Sequence, residues 1–332
     1  MKICIITALH PSMNPRVVKE ADALSEVGHI VTVIAPDFLP WAREADAQYA
    51  SKAWTLHPDR PKFGPHAPVL ARFRELARRV LVAALMKVVK APSPQLLAAA
   101  IHPAAPQLTR VAKRQPADLY IAHLLAALPA AAAAAKANGA KYAFDAEDFH
   151  PGDLPQAREH DKYRHLTRQI ESKYLPGCVY ISAASPGIAA AYKAAYDLPE
   201  PVVILNVFPK SHAPVVPSVA GTVSPGPSVY WYSQTIGHDR GLQCAIRAIA
   251  RAKSKPHLYL RGTPAKGILE ELTGIAKSEG VSDRLHFLAP ELPHLMEELA
   301  AVYDIGLCGE LGHTENRKIA LTNKQFTYML AG

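Results

Sequence analysis

The segment 229–262 combines residue types that could bind a phosphate group. An apolar strand pattern, Val229–Ser233, leads into a polar turn that contains Gly237, Arg240 and Gly241, and a helical pattern follows. The N-terminus of a helix stabilises an anion through its free N–H groups and its dipole, and a nearby guanidinium adds a positive charge. The pattern therefore predicts a site for a phosphorylated ligand at this turn. The glycines would allow the backbone to approach the phosphate or base closely, although ordinary turn glycines explain them too.

Polar side chains also follow strand patterns in the N-terminal half. His123 comes directly after an apolar strand, and the acidic residues Asp145, Glu147 and Asp148 come at the end of another strand. Ligands of open α/β sheets bind at the carboxyl ends of the strands, so these positions suit a binding site. The acids could orient a hydroxyl group or accept its proton, or they could cap the next element. A single histidine has a structural explanation as well.

Strand and helix patterns alternate along the chain and predict the elements that hold these residues. The first are a strand over Lys2–Thr7, a helix over 16–27 and a strand over Ile30–Ala35, with His10 and Asn14 in the first turn. This alternation indicates a parallel sheet covered by helices on both faces. The first turn has no GxGxxG, which argues against a dinucleotide site.

The alternation starts again after an aperiodic segment rich in Pro, Ser, Gly and Val. We therefore predict a Rossmann-like domain over 1–208, a linker over 209–227 and a second Rossmann-like domain over 228–332. The last residues, Ala331 and Gly332, stand where a helix should pass to a further strand. We expect the second domain to be incomplete at its C-terminus.

Composition limits the classes of protein that this chain could represent. With 332 residues, 49% hydrophobic and 20% charged, it has enough apolar material for two cores. The four cysteines are far apart, and three lie in or beside apolar strand patterns, which predicts reduced core thiols in a cytoplasmic protein. No signal peptide or membrane-spanning run is visible. The sequence also has no metal-ligand spacing, so we expect no metal.

The net charge of +8 favours anionic partners. No nucleic-acid-binding motif appears, and we expect no nucleic-acid partner. Basic residues concentrate in 72–90, where an apolar stripe at helical spacing is flanked by cations. Such a helix could lie on an anionic membrane surface, but packing of the stripe on its own domain is the commoner outcome.

In order and spacing, the chain resembles the retaining glycosyltransferases of the GT-B fold, in particular glycosyltransferase family 4. The resemblance covers nearly the whole chain and is carried by 14–33, 118–123, 142–148, 180–209, 237–242, 260–262 and 323–332. The last segment, for example, is similar to the family pattern NK.FEY.AAG. The chain departs from the family at Glu147, where histidine is usual, at Gln234 and Thr235, where a basic residue is common, and at Thr327, where an acidic residue commonly holds the donor ribose.

The resemblance implies two Rossmann-like domains that face each other across a cleft, the second binding a sugar nucleotide and the first an acceptor. It implies no cofactor and no metal. The implied catalytic residues are His123, which would contact the transferred sugar, and Arg240 and Lys324, which would stabilise the leaving diphosphate. The implied donor-binding residues are Gly237, Arg240, Gly241, Gly262, Glu310 (or Glu315), Asn323 and Lys324. Those on the acceptor side are His10, Asn14, Asp145, Glu147 and Asp148.

We therefore predict a glycosyltransferase that moves a sugar from a UDP- or GDP-linked donor to a saccharide or lipid-linked acceptor, with retention. The expected role is synthesis of cell-surface polysaccharide or glycolipid, in the cytoplasm or at the inner face of the membrane. The alternative is a non-catalytic GT-B-like protein that binds a glycan or a partner enzyme. A sugar-nucleotide epimerase or a phosphorylase would need acidic pairs or a cofactor lysine that the sequence does not show.

Overall fold

The computed structural model describes residues 1–89, 92–214 and 225–332. The chain forms two compact units. Unit 1 contains Met1–Leu205 and Thr314–Ala320, and unit 2 contains Asn206–His313 and Leu321–Gly332. Of the predicted linker 209–227, residues 215–224 lie outside the described part of the chain.

Strands and helices alternate through most of the chain. The strands are β1 (Lys2–Thr7), β2 (Ile30–Ile34), β3 (Thr55–Leu56), β4 (Leu119–His123), β5 (Lys141–Ala146), β6 (Ile181–Ala183), β7 (Val202–Val203), β8 (Ser228–Ile236), β9 (His257–Pro264), β10 (Leu285–Leu288) and β11 (Ile305–Gly306). The helices are α1 (Pro15–Glu26), α2 (Pro40–Asp46), α3 (Val69–Val88), α4 (Pro94–Ile101), α5 (Ala105–Arg114), α6 (Leu128–Asn138), α7 (Asp161–Tyr174), α8 (Pro186–Tyr196), α9 (Leu242–Arg251), α10 (Ile268–Ser278), α11 (Met296–Ala300), α12 (Glu315–Ile319) and α13 (Asn323–Ala331).

The seven strands of unit 1 form one parallel sheet in the order β3-β2-β1-β4-β5-β6-β7. Its central strands are apolar runs with both faces buried, as in sheets covered by helices on both sides. Leu108 of α5 and the alanines of α6 pack on one face, whereas Val17 and Ala21 of α1 pack on the other. The chain order reverses direction between β1 and β4, which makes this pair of strands the topological switch point of the sheet.

Unit 2 has a smaller parallel sheet in the order β10-β9-β8-β11. Its core is formed by Trp231 on β8, leucines of β9, and the buried faces of α9 and α10. The chain order reverses between β8 and β11, so the switch point of this sheet lies at the end of β8.

The prediction that all of 228–332 belongs to the second domain is wrong for 314–320, which packs in unit 1. Asn316 explains this placement. Its amide oxygen accepts a hydrogen bond from the backbone N–H of Phe149 at 2.8 Å, and its amide nitrogen donates to Asp148 at 2.7 Å. Ser185 also donates a hydrogen bond to the carbonyl of Ile319 at 2.6 Å. These partners lie more than 130 residues away in the chain, beyond the reach of local periodicity.

The predicted set of core thiols is also only partly present. Cys4 is buried and Cys178 is partly buried, but Cys244 and Cys308 are exposed, and all four are free. Cys308 follows a strand of only two residues at the edge of its sheet, where burial is incomplete. Within the described residues, no helix is both long enough and apolar enough to span a bilayer.

Candidate active site

One row of side chains crosses the sheet of unit 1 at the carboxyl ends of its strands. The register pairs Thr7 on β1 with His123 on β4, His123 with Asp145 on β5, and Asp145 with Ser182 on β6. His123 thus lies at the switch point, where open α/β sheets bind their ligands. The structure brings the predicted residues His123 and Asp145 together.

His123 is fully buried and is bonded on both sides of its ring. Nδ1 lies 2.8 Å from Oε1 of Glu147, and Nε2 is hydrogen-bonded to Glu20 on α1. Burial alone would disfavour the charged ring, but the carboxylates of Glu20, Asp145 and Glu147 outweigh it and raise the pKa of His123 well above its ordinary value. His123 is therefore an imidazolium that donates a hydrogen bond to a carboxylate on each side. Its contact with a sugar would require one of these bonds to break.

Asp145 is held by Arg16, which extends from the first turn of α1. The guanidinium binds both carboxylate oxygens, through Nε and through Nη2 at 2.7 Å, and its Nη1 donates to the carbonyl of Ile204 at 2.6 Å. Ser182 donates a further hydrogen bond to Asp145 at 2.5 Å. Burial would raise the pKa of Asp145, but Arg16 and the charged His123 hold it below its ordinary value. Asp145 is thus committed to a buried ion pair.

Glu147 is a partly exposed carboxylate joined to the row. Its side chain is 17% exposed, and Oε1 accepts hydrogen bonds from His123 and from Asn14 at 2.7 Å. Asn14 also caps α1, because its side-chain oxygen accepts from the N–H of Val17. The cap of α1 and the end of β5 are thereby joined, and Glu147 is fixed with one carboxylate oxygen bonded to both partners.

The ligand-type atoms of His123, Asp145 and Glu147 lie within 4.8 Å of one another, the spacing that a metal ion requires. In the observed arrangement, the guanidinium of Arg16 occupies both oxygens of Asp145, and both nitrogens of His123 are hydrogen-bonded. A cation at this position would have to compete with these positive charges. The chemistry of the arrangement is that of a proton and hydrogen-bond network.

The other two predicted acceptor-side residues of unit 1 face different neighbours. His10 is fully buried; its Nδ1 lies 2.7 Å from Asp46, and its Nε2 accepts from the N–H groups of Phe38 and Leu39. It therefore fastens the start of α2. Asp148 accepts from Asn316 and so helps to hold the segment 314–320.

A cavity of about 360 Å³ opens beside the His10–Asp46 pair. It is lined by Trp54, Tyr49 and three cations, Arg43, Lys52 and Arg60. Each of these cations is paired with an aspartate, as Arg60 is with Asp46 at 2.6 Å. The cavity offers aromatic faces and hydrogen-bonding groups with little excess charge, which suits a neutral polar ligand such as a saccharide.

In unit 2, the predicted strand–turn–helix is present, although β8 continues to Ile236. The turn brings the backbone against the segment after β11, since a Cβ on Gly241 would lie 2.1 Å from the carbonyl oxygen of Gly309. Gly241 has φ +70° and is the N-cap of α9, a combination that favours glycine strongly. Among the described residues, the half-buried side chain of Arg240 has no hydrogen-bond partner. It lies close enough to Glu310 to lower the pKa of that carboxyl group.

Lys324, in the first turn of α13, is bonded to Glu310, and both side chains are nearly buried. The ammonium lies 5.3 Å from the centroid of the Trp231 ring. Burial would raise the pKa of Glu310, but Lys324, with a smaller effect from Arg240, lowers it. Oε2 of Glu310 is buried without a hydrogen-bond partner among the described residues. The structure thus brings together three predicted residues, Arg240, Glu310 and Lys324, at the switch point of this sheet.

The remaining predicted donor residues have different surroundings. Gly262 has φ +146°, and a Cβ there would lie 2.2 Å from the carbonyl oxygen of Ser233. Glycine at this position therefore allows β9 to approach β8 closely. Gly237 has open space around it. Asn323 is exposed and accepts from Asn206 at 2.9 Å. Glu315, the alternative to Glu310, belongs to unit 1 and pairs with Lys318 at 2.8 Å.

Sequence reasoning missed Arg16, Glu20 and Trp231 as parts of these two clusters. Arg16 and Glu20 are four residues apart on α1, which places them on one face of the helix. That spacing, directly after the first turn with Asn14, was an available signal. Trp231 occupies an inward position of β8, which the sequence indicates only as core.

No protein-family model matches the chain, and a search of curated proteins finds no match. Solved structures do match. Anabaena HepE, crystallised with UDP and glucose, is 14% identical with a TM-score of 0.57, over 92% of this chain and 73% of that one. Sucrose-phosphate synthase from Thermosynechococcus elongatus is 12% identical with a TM-score of 0.62, over 93% and 75%. S. aureus TarM, crystallised with UDP and a glycosylated glycerol, is 7% identical with a TM-score of 0.63, over 100% and 84%.

At these identities the likeness concerns the fold. The matched lengths include both units, each with its parallel sheet. The chain therefore has the GT-B fold.

Proposed function

We propose that this protein is a glycosyltransferase that uses a nucleotide-diphosphate sugar and transfers the sugar with retention to a saccharide or lipid-linked acceptor. Unit 2 would bind the donor and unit 1 the acceptor. The proposal is supported by the GT-B fold, by the residues at the two switch points and by the solved structures with UDP. Membership of glycosyltransferase family 4 stays a prediction.

The single observation that carries the proposal is the environment of Arg240. It is a half-buried cation without a hydrogen bond in the described chain, and it lies beside the N-terminus of the ten-residue helix α9. Negative charge grows on the leaving nucleoside diphosphate as the glycosidic bond breaks. A bidentate guanidinium and the free N–H groups of α9 would stabilise that charge in the transition state. No metal is required for this role.

Glu310 and Lys324 would act on the same donor. Lys324 adds a compact positive charge and keeps Glu310 ionised through its ion pair. The unpaired Oε2 of Glu310 would accept a hydrogen bond from a sugar hydroxyl, which removes the cost of a buried oxygen without a partner. Thr327 cannot hold the ribose as an acid would, since it is buried and bonded to the hydroxyl of Tyr232 at 2.8 Å.

In unit 1, Glu147 is the group suited to orient an acceptor hydroxyl. His123 and Asn14 fix one of its carboxylate oxygens, which leaves the other oxygen to accept a hydrogen bond from the acceptor. The cavity beside Asp46, which is lined in part by β3 at the edge of the sheet and not by the His123 row, would receive part of the saccharide. Nothing in the sequence resembles a dedicated nucleophile, so we expect displacement on the same face, assisted by the leaving phosphate. The product would serve a cell-surface polysaccharide or glycolipid.

We further propose that the protein works in the cytoplasm, peripherally at the inner face of the membrane. The surface that would hold it there lies on α3.

A donor panel tests the proposed reaction. The full chain is incubated with UDP- and GDP-linked sugars, release of nucleoside diphosphate is measured, and the anomeric configuration of the product is read by NMR. We expect turnover with one donor class and a retained configuration. An inverted anomeric centre would refute retention, whereas absence of turnover with every donor would count against the enzyme.

One observation favours the second candidate, a non-catalytic protein that binds a glycan or a partner enzyme. Two of the three predicted catalytic residues are already satisfied within the chain, because Lys324 is bonded to Glu310 and His123 is bonded on both sides. Thermal unfolding separates the two candidates. Stabilisation by UDP or GDP together with turnover supports the enzyme, whereas stabilisation by neither nucleotide supports the binding protein.

A further inference from the structure

The helix α3 contacts the rest of unit 1 through one face. Its inward face carries Glu75, Arg78 and Met86. Glu75 is buried and accepts from the N–H of Gly64 at 3.0 Å, and Arg78 donates to the carbonyl of Pro103 at 2.6 Å. Met86 packs against a small cluster that includes Leu97 of α4. The less exposed face of α3 thus combines two polar contacts with partly buried apolar side chains, Ala71, Val82, Leu85 and Met86.

The opposite face of α3 is apolar and exposed. Its large side chains, Val69, Leu70, Phe73, Leu76, Val80 and Leu81, are between 58% and 67% exposed. Their spacing places them within one stripe along the helix. The prediction that this stripe packs on its own domain is therefore wrong, because the opposite face of the helix, with Glu75, Arg78 and Met86, makes the contacts to unit 1.

Charge along the exposed stripe has one sign. Arg72 and Arg79 lie along one border and Arg74 along the other, and all three are exposed. The only acidic residue of the helix, Glu75, faces inward. An exposed apolar stripe bordered by arginines complements a surface that is apolar inside and anionic outside, which is the interface of an anionic bilayer.

We propose that α3 docks on an anionic membrane, lying in the plane of the interface with Phe73 and Val80 at the centre of the inserted stripe. The helix is 20 residues long, about 30 Å at 1.5 Å per residue, so one face can engage lipid along its length. Docking on a second copy of this chain is disfavoured by the same charges. Two such faces would bring exposed arginines together, and Glu75, the one acid of the helix, is buried and pairs with Arg79 of its own helix at 3.7 Å. The proposal does not depend on sugar transfer.

Vesicle flotation of the full chain tests the docking. We expect binding to vesicles that contain about 30% phosphatidylglycerol in phosphatidylcholine, little binding to phosphatidylcholine alone, and release as salt is raised from about 0.05 to about 0.5 M. Replacing Phe73 and Val80 by Ser should lower the partition coefficient by at least about tenfold, since both side chains lose their apolar contact. Replacing Arg72, Arg74 and Arg79 by Gln should lower it about fivefold for each arginine.

Matched variants separate the surface from general effects. Val27→Ser with Leu292→Ser changes two apolar residues of similar exposure elsewhere, and a triple Gln variant at Lys136, Lys141 and Lys253 removes the same charge. Both controls should bind like wild type. Three results would each overturn the proposal. The first is an equal loss of binding in the control variants, and the second is equal binding of the wild type to neutral vesicles. The third is a dimer in sedimentation equilibrium that dissociates when Phe73 and Val80 are replaced by Ser.

Discussion

Replacement of Arg240 by Gln separates a role in donor binding from a role in folding. Arg240 makes no hydrogen bond within the described chain and is half-buried. Its removal should therefore change the free energy of unfolding by no more than about 0.5 kcal/mol. By contrast, a bidentate contact with a diphosphate contains two charge-assisted hydrogen bonds, each worth about 1.5–3 kcal/mol.

The expected loss of transition-state stabilisation is thus about 3–6 kcal/mol, or about 10²- to 10⁴-fold in kcat/KM. The assay combines release of nucleoside diphosphate with calorimetric titration of UDP and GDP and with urea unfolding. Arg247→Gln is the matched control. This arginine lies on α9, is 47% exposed and forms a long ion pair of 3.7 Å with Glu279, which contributes little to stability. We expect the control to retain wild-type activity and nucleotide affinity.

Two results would refute this reasoning. If Arg240→Gln keeps kcat/KM within about threefold of wild type, the guanidinium does not contact the leaving group. If the variant instead loses more than about 2 kcal/mol of stability, Arg240 has a structural partner and the geometry described above is wrong.

Three further predictions concern the buried groups and the turn. Arg16→Met should destabilise the protein by about 3–5 kcal/mol in urea unfolding, because the buried carboxylate of Asp145 loses its guanidinium partner and keeps only Ser182 and His123; the double variant with Asp145→Leu should recover part of this loss. Gly241→Ala should cost about 1–3 kcal/mol, since the left-handed backbone and a nearby carbonyl oxygen both oppose a Cβ, whereas Gly237→Ala should be tolerated. For His123, whose folded-state pKa is raised, the stabilising charge is fully present below about pH 6.5 and is lost as the pH rises through the raised pKa. The stability difference between wild type and His123→Gln should therefore shrink as the pH rises above about 6.5.

Each of these has a contradicting outcome. Wild-type stability of the Arg16 variant would mean that water or another cation reaches the carboxylate. Equal losses for the two glycine variants would show that the close approach after β11 is not formed. A stability difference that stays constant or grows with pH would mean that the histidine is neutral in the folded state.

Much of the fold follows from local sequence. The apolar runs of β1, β2 and β4 alternate with amphipathic helices. Apolar strands of this kind are buried on both faces, and a parallel sheet covered by helices provides that burial. The turn after β8 was also predictable, since Gly241 needs a positive φ and marks the start of α9. The order of motifs was enough to predict the GT-B fold.

The partners of the site residues could not be predicted in the same way. Arg16 and Asp145 are 129 residues apart, and Lys324 meets Glu310 only because α13 returns beside the end of β11. Such pairs depend on strand order and register, which local periodicity does not encode. The same limit explains why His10 fastens α2 and why 314–320 joins unit 1.

The sequence by itself determined which elements form and which residue types stand at the ends of their strands, because both depend on hydrophobic period and turn chemistry over a few residues. Only the tertiary structure decided which charges meet. Burial and long-range pairing set whether a side chain lacks a hydrogen-bond partner among the described residues, like Arg240, or is bonded on both sides, like His123. It also decided that the apolar stripe of α3 faces outward, because Glu75 and Arg78 found polar partners on the inner side.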